Sequence, residues 1–526
     1  MTAPATPLIG VFLAVLAPLA WCQLVVAEYA LPKLLMLAVG VLVSALGLPR
    51  LRRPPLAMPL LACAAVLALT TATSTDRYLS LVGEYNAYTY GVLGLGLCAG
   101  LYLLTASLEP EQRELAVSVV LGVGVLVAAY ACVQELNYEP FALSAPLPSG
   151  RAVSTLGSPV HLGMYLAMLL PLAVARHWWV GAALLMGGLA ATLSRGAWLA
   201  AAIGVAAYLA LAHGRRGVLL VLALSLMGAA VAGPRLHAAR DALAKSDVGR
   251  MEGWRMAVMA WRERPLLGHG TDTYGLLARR LKTEAFVKAT DGPHYHVHAH
   301  NEYFQVLATM GIMGAMAYLL LWAWVAALAW NRRDDPAAAA LGAGLLALLA
   351  NTQFNPASLE VYATAAVLAG AIAPASAPMR GLWALRGLAA IGLAAALWLC
   401  AADYWQQRGR VAMGRAEMLR STAHAAILNP CEPKYHVMPL NALLDMARLN
   451  RDREPLRLAA ARLVPTLRCR PREPLPHYIM GRVMLMRYEL GEPAARTVAR
   501  ASLDRAAALD PRFPAIKALR DALRRR

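Results

Sequence analysis

His298-Ala299-His300-Asn301-Glu302-Tyr303-Phe304-Gln305-Val306-Leu307-Ala308-Thr309-Met310-Gly311 carries the chain from a polar loop into a long apolar helix. In a membrane protein such a passage lies at the membrane surface, where a polar head and a greasy tail of one substrate can be met together. Ionisable residues at that boundary are candidates for function before packing. His300 leads them.

Outward from this stretch the chain reads as bilayer material. Apolar residues make up 59% of 526 positions and charged residues 15%, and the mean hydropathy is +0.49. Apolar runs near spanning length recur at 7–27, 31–48, 56–73, 88–106, 114–133, 160–175, 178–193, 196–212, 217–233, 302–330, 337–353, 361–376 and 383–402. The expected fold is all-α: a polytopic membrane bundle of about 12–13 spans over 1–402, a large loop at 234–300, and a soluble helical segment over 403–526. The N-terminus lacks a basic n-region and a small-residue cleavage site, so the first span reads as retained.

Arginine sets the topology. Arg50, Arg52, Arg53, Arg176, Arg215, Arg216, Arg332, Arg333, Arg380 and Arg386 all fall in loops on one side of this count. The positive-inside rule makes that side cytoplasmic. The loops 28–33, 74–87, 134–159, 234–300 and 354–360 then face outward, with the tail beyond 403. The spans themselves carry almost no charge, which argues against an ion-coupled transporter.

Three outer features carry candidate chemistry. Arg195, in Ser194-Arg195-Gly196-Ala197-Trp198, presents a donor fork suited to phosphate; the alternative is an arginine snorkelling to headgroups. In the large loop, Met251, Trp254, Val258 and Trp261 form an apolar helical stripe with Arg255 and Arg262 off it. That helix lies either in the membrane interface or against the outer ends of the spans. His294, His296, His298 and His300 alternate, so an extended segment would aim all four one way. Their spacing matches no standard zinc motif and no carboxylate cluster adjoins them, so no metal or other cofactor is expected, and the histidines other than His300 read as solvated.

Together these residues resemble the O-antigen ligase and polymerase superfamily of membrane glycosyltransferases. Its signature is similar to His300-Asn301, nine residues, then Gly311. Ser194-Arg195-Gly196-Ala197-Trp198 resembles its arginine hairpin. Gly249-Arg250 with Trp254, then Pro265-Leu266-Leu267-Gly268-His269-Gly270, resembles the start of its large periplasmic loop. Ser74-Thr75-Asp76 with Leu79-Ser80 and Gly83, and Thr155-Leu156-Gly157-Ser158-Pro159 with Gly163-Met164-Tyr165, look like two further outer loops. The chain departs from the family pattern at Thr309, where an acid is common, and at Val160-His161, where asparagine is.

The resemblance implies metal-independent transfer of a glycan from an undecaprenyl-diphosphate carrier to an acceptor hydroxyl, at the periplasmic face of a bacterial inner membrane and with inversion. Lipid A-core, a protein side chain or another glycan would be the acceptor. His300, Arg195 and Arg250 would be catalytic, with Asn301, Arg255, Trp254 and Arg151 binding substrate. Other classes are a multispan transporter and a non-catalytic envelope scaffold.

Beyond 403, Ala425-Ala426-Ile427-Leu428-Asn429-Pro430 and Ala506-Ala507-Ala508-Leu509-Asp510-Pro511 echo each other, resembling tetratricopeptide units. Such helix pairs bind a protein partner or cap a membrane domain. The tail holds 24 Lys and Arg against 12 acids, most of the net charge of +19. After so many spans its partner is an anionic lipid surface rather than nucleic acid. Of seven cysteines, Cys431 and Cys469 fall in the tail and can pair only if it is periplasmic.

Overall fold

A computed structural model describes residues 5–141, 150–212, 214, 216, 240–290, 296–372 and 377–525. Arg215, the expected span 217–233, the start of the large loop and His294 lie outside those residues. The described chain is all-helical apart from one pair of three-residue strands.

Five helices are long and apolar enough to cross a membrane: Ala30–Gly47, Pro110–Glu135, Arg195–Ala212, Glu302–Asn331 and Leu382–Val411. Seven shorter apolar helices stand at the other expected spans. The first run, expected over 7–27, is helical only over Thr6–Val15, with a 3-10 turn at Ala17–Leu19. Pro18 explains the break, because its ring cannot continue an α-helix.

The loops segregate to two ends. At one, strand Leu51–Arg53 pairs antiparallel with Ala377–Met379. There Arg52 meets Glu109, Arg176 meets Glu114, and Arg386 donates to the carbonyls of Ala45, Leu46 and Leu48. These are the arginine loops that the span count placed on one side. At the other end the Thr75 amide donates to the His269 carbonyl at 2.8 Å, Glu84 N to Asp272 Oδ2 at 2.7 Å, and Ala152 N to Ala191 O at 3.0 Å.

The Leu382–Val411 helix continues beyond residue 402, and Asp403 on it accepts from Ala27 N at 2.8 Å and Tyr85 OH at 2.6 Å. Six further helices follow, from Arg415–Leu428 to Pro514–Arg525. They dock on the second end through buried charges. Arg470 meets Asp76 at 2.7 Å and Glu473 at 3.0 Å, Glu473 also holds Arg279, and Lys282 meets Asp510 at 2.8 Å. A disulfide joins Cys431 to Cys469, next to Glu432 and Arg470.

Candidate functional site

Gly311 explains its own place in the His-Asn-x9-Gly pattern. It has φ +64° and ψ −165° inside the Glu302–Asn331 helix, a conformation essentially confined to glycine. The break admits the segment 265–270. Ile312 N donates to Pro265 O at 2.8 Å, Met313 N to Leu266 O at 3.2 Å, and Gly270 N to Thr309 O at 2.7 Å. A Cβ on Gly311 would stand 2.3 Å from the Leu266 oxygen, and one on Gly268 would stand 2.4 Å from the Thr309 carbonyl carbon. The large loop is thus keyed into the helix that begins at the candidate site.

Ten residues earlier, Asn301 caps that helix. Its Oδ1 accepts from Tyr303 N at 2.9 Å and Phe304 N at 3.2 Å, and its Nδ2 donates to Gln353 O at 2.9 Å. Glu302 N donates to Thr352 O at 2.9 Å. His300, at φ +53°, donates from Nδ1 to Asn355 Oδ1 at 3.3 Å, leaving Nε2 with its lone pair. Burial, aided by the Arg250 charge, holds His300 below the usual histidine range, while the Asn355 bond pulls the other way.

The 351–358 segment is therefore a hub, and it also reaches Arg195. Gly196 packs on Phe354, where a Cβ would stand 3.3 Å from the ring. On the other side of that hairpin, Arg151 Nε donates to Thr192 O at 2.8 Å. Arg151 is held below the usual guanidinium range by burial and by the Arg250 charge. So Arg250 is within electrostatic reach of both Arg151 and His300, and the Arg195 hairpin packs on the segment that holds His300. Asn355 is a site residue that the sequence analysis missed. The polar run Asn351-Thr352-Gln353 and Asn355 between two apolar helices was the available signal.

The other expected site residues separate. Trp254 stacks on Phe304 at 5.6 Å, with its Nε1 buried and without a partner. Arg255 is exposed and meets only Glu252 among the ion pairs of the described residues, at 3.7 Å. The apolar stripe named from sequence is not the packed face of its helix: Met251 is exposed, while Gly253, Met256, Ala257 and Ala260 are buried. Small side chains let the helix approach its neighbours closely, and hydrophobicity alone does not detect that. Gly253 lies against Ala299 O.

Of the histidines expected to be solvated, His296 and His298 are half-buried against aromatic rings. His296 sits between Phe286 and His300, at ring distances of 4.8 and 4.4 Å, and His298 lies against Tyr90 at 5.6 Å. Burial lowers both to about 3. Among the described residues no three His, Cys, Asp or Glu gather as a metal site.

Beside the hub is an apolar cavity of about 320 Å³. Leu60, Leu67, Leu95, Val306, Leu321 and Val325 are among the residues lining it, and Tyr90, Asp272, Glu302 and Gln305 add polar groups. Gln305 Nε2 is buried with no hydrogen-bond partner among the described residues, as expected where water or a ligand completes the bonding.

Residues 180–319 match the family described as O-antigen ligase. That stretch contains Arg195, Arg250, His300 and Gly311; Arg151 and Asn355 lie outside it. No curated protein matched the chain.

Proposed function

We propose that this chain, a stretch of which matches the O-antigen ligase family, transfers a glycan from an undecaprenyl-diphosphate carrier to an acceptor hydroxyl without a catalytic metal. The observation that carries the reading is one juxtaposition. A histidine with an available Nε2, in the field of an arginine that also bears on Arg151, immediately precedes the helix whose Glu302, Gln305 and Val306 line an apolar cavity.

In this reading the cavity takes the first part of the lipid chain and the arginines take the diphosphate. His300 Nε2 removes the acceptor proton as the acceptor oxygen bonds to the anomeric carbon. The bond from that carbon to the diphosphate oxygen breaks, and the diphosphate leaves with the electron pair. Arg195, Arg250 and Arg151 offset its growing charge. Attack opposite the leaving group inverts the anomeric centre. The acceptor is lipid A-core, a protein side chain or another glycan.

The site and the tail belong on the periplasmic side of the inner membrane, and the Cys431–Cys469 disulfide fits that oxidising compartment. The tail, as a unit from about 403, would cap the outer loops. Alkaline phosphatase fused after Arg526 is expected to be active there; activity of a cytoplasm-only reporter instead would reverse the topology.

The decisive assay uses purified protein in lipid vesicles with lipid-linked glycan and candidate acceptors. Wild type should transfer, and His300→Ala should lose about 10²–10⁴-fold at unchanged protein level. Full transfer by that variant removes His300 from the mechanism. Because the base must be neutral and is held below 6.5, the rate should rise through a midpoint below that pH. A midpoint above it would contradict the buried, arginine-facing histidine.

A further inference from the structure

Two charges lie buried where the sequence analysis placed outer loops. Lys33, in the first turn of Ala30–Gly47, and Glu360, in the first turn of Leu359–Ile372, form an ion pair at 3.5 Å with side-chain exposures of 2% and 5%. The helix expected from 361 begins at Leu359 and so takes in Glu360, whereas Lys33 stood where loop 28–33 and span 31–48 overlap. Glu360 suits the positive end of its own helix, whereas Lys33 opposes the end on which it sits. The Tyr29 ring lies 5.6 Å from Lys33 Nζ, and His161 is in the field of both charges.

Such a pair is poor evidence for stability, because desolvation offsets most of the attraction and apolar residues of similar size often serve as well. Its best-attested use is to fix register. The element registered here is the one that holds the site. Five residues before Glu360, Asn355 takes the His300 proton donor; Gln353 and Thr352 hold Asn301 and Glu302; Phe354 packs on Gly196 beside Arg195. Where Glu360 is anchored decides where Asn355 stands.

We infer that the buried Lys33–Glu360 pair is a positioning device for transfer, anchoring the 351–358 segment so that Asn355 holds His300 Nδ1 and aims Nε2 at the acceptor. The inference rests on the reading of His300 as the base. Neither residue of the pair touches substrate in it.

The test is the double variant Lys33→Met/Glu360→Leu, which removes both charges and leaves no lone buried ion. It is made in the full-length protein in lipid nanodiscs. Melting, turnover, donor KM and the His300 titration are measured, the last by histidine NMR with its resonance identified through His300→Gln. The groups facing His300 are His296, His298, Arg250 and Asn355, and all remain in the variant.

Melting and donor KM should stay near wild type, while turnover drops about 10-fold or more, the scale of a misaimed catalytic group. The His300 midpoint should move down, because the Asn355 bond that raises it is lost. Adding Asn355→Ala should cost little more. Wild-type turnover with an unmoved midpoint overturns the proposal, as does a full additional loss from Asn355→Ala. A shifted midpoint together with normal transfer by His300→Ala leaves the positioning intact and removes the base. Should the double variant fail to insert, Glu360→Asp keeps the charge but withdraws it by one methylene. It should lower turnover and shift the midpoint in the same direction; no change in either overturns the inference.

Discussion

Arginine serves two ends of one surface in opposite ways. In the tail interface, Arg470 is buried between Asp76 and Glu473, and Arg279 closes on the same Glu473. At the candidate site, the Arg250 charge opposes that of Arg151 and of a protonated His300, while Arg195 is exposed on a neighbouring hairpin. Where carboxylates surround a guanidinium, it holds structure together. Where one guanidinium bears on another and on a histidine, the local field suits an incoming anion such as a diphosphate.

The largest expected effect is on the structural side. Arg470→Ala leaves Asp76 buried without its partner, which costs about 3–5 kcal/mol when a buried pair is broken this way. A lower melting temperature and a tail newly open to protease should report it. If the variant melts as wild type but stops transferring, the comparison breaks and Arg470 belongs with the site. Arg250→Lys and Arg195→Lys should do the reverse, keeping melting but losing about 10²-fold in turnover, the scale of one lost transition-state donor. A lysine keeps the charge but not the fork. Full donor turnover in both lysine variants would put both arginines on the structural side.

Much of the membrane part was legible because spanning helices announce themselves by length and apolarity. Twelve apolar helices stand where runs were expected, and the arginine loops share one end. His300 and Gly311 were legible as a motif, but the reason for Gly311 was not: segment 265–270 keys into its break from forty residues away. Glu360 was hidden by a helix that begins two residues before its expected span, and Lys33 by its place where an expected loop and span overlap. Asn355 was hidden because nothing in Gln353-Phe354-Asn355-Pro356 is ionisable. Arg470 looked like one more positive charge of a basic tail read as facing anionic lipid, since its partners lie in residues as remote as Asp76.

Asn301 offers the smallest effect and the finest cut between the two kinds of residue. The sequence made it a substrate contact, yet both lone pairs of its Oδ1 meet the helix amides of Tyr303 and Phe304, and one Nδ2 hydrogen is spent on Gln353. One N–H remains. Removing the side chain should therefore act first as loss of a helix cap, costing about 1 kcal/mol. Asn301→Asp keeps the acceptor oxygens and loses both N–H groups, so it should cap nearly as well while releasing the 351–358 segment. If Asn301 positions, Asn301→Asp melts near wild type, lowers turnover and leaves donor KM unchanged. If instead it binds the donor through its remaining N–H, donor KM rises in Asn301→Asp as much as in Asn301→Ala, whatever the melting shows. The ratio of the two KM values decides whether the asparagine beside His300 belongs with the arginines that meet the substrate or with those that hold the fold.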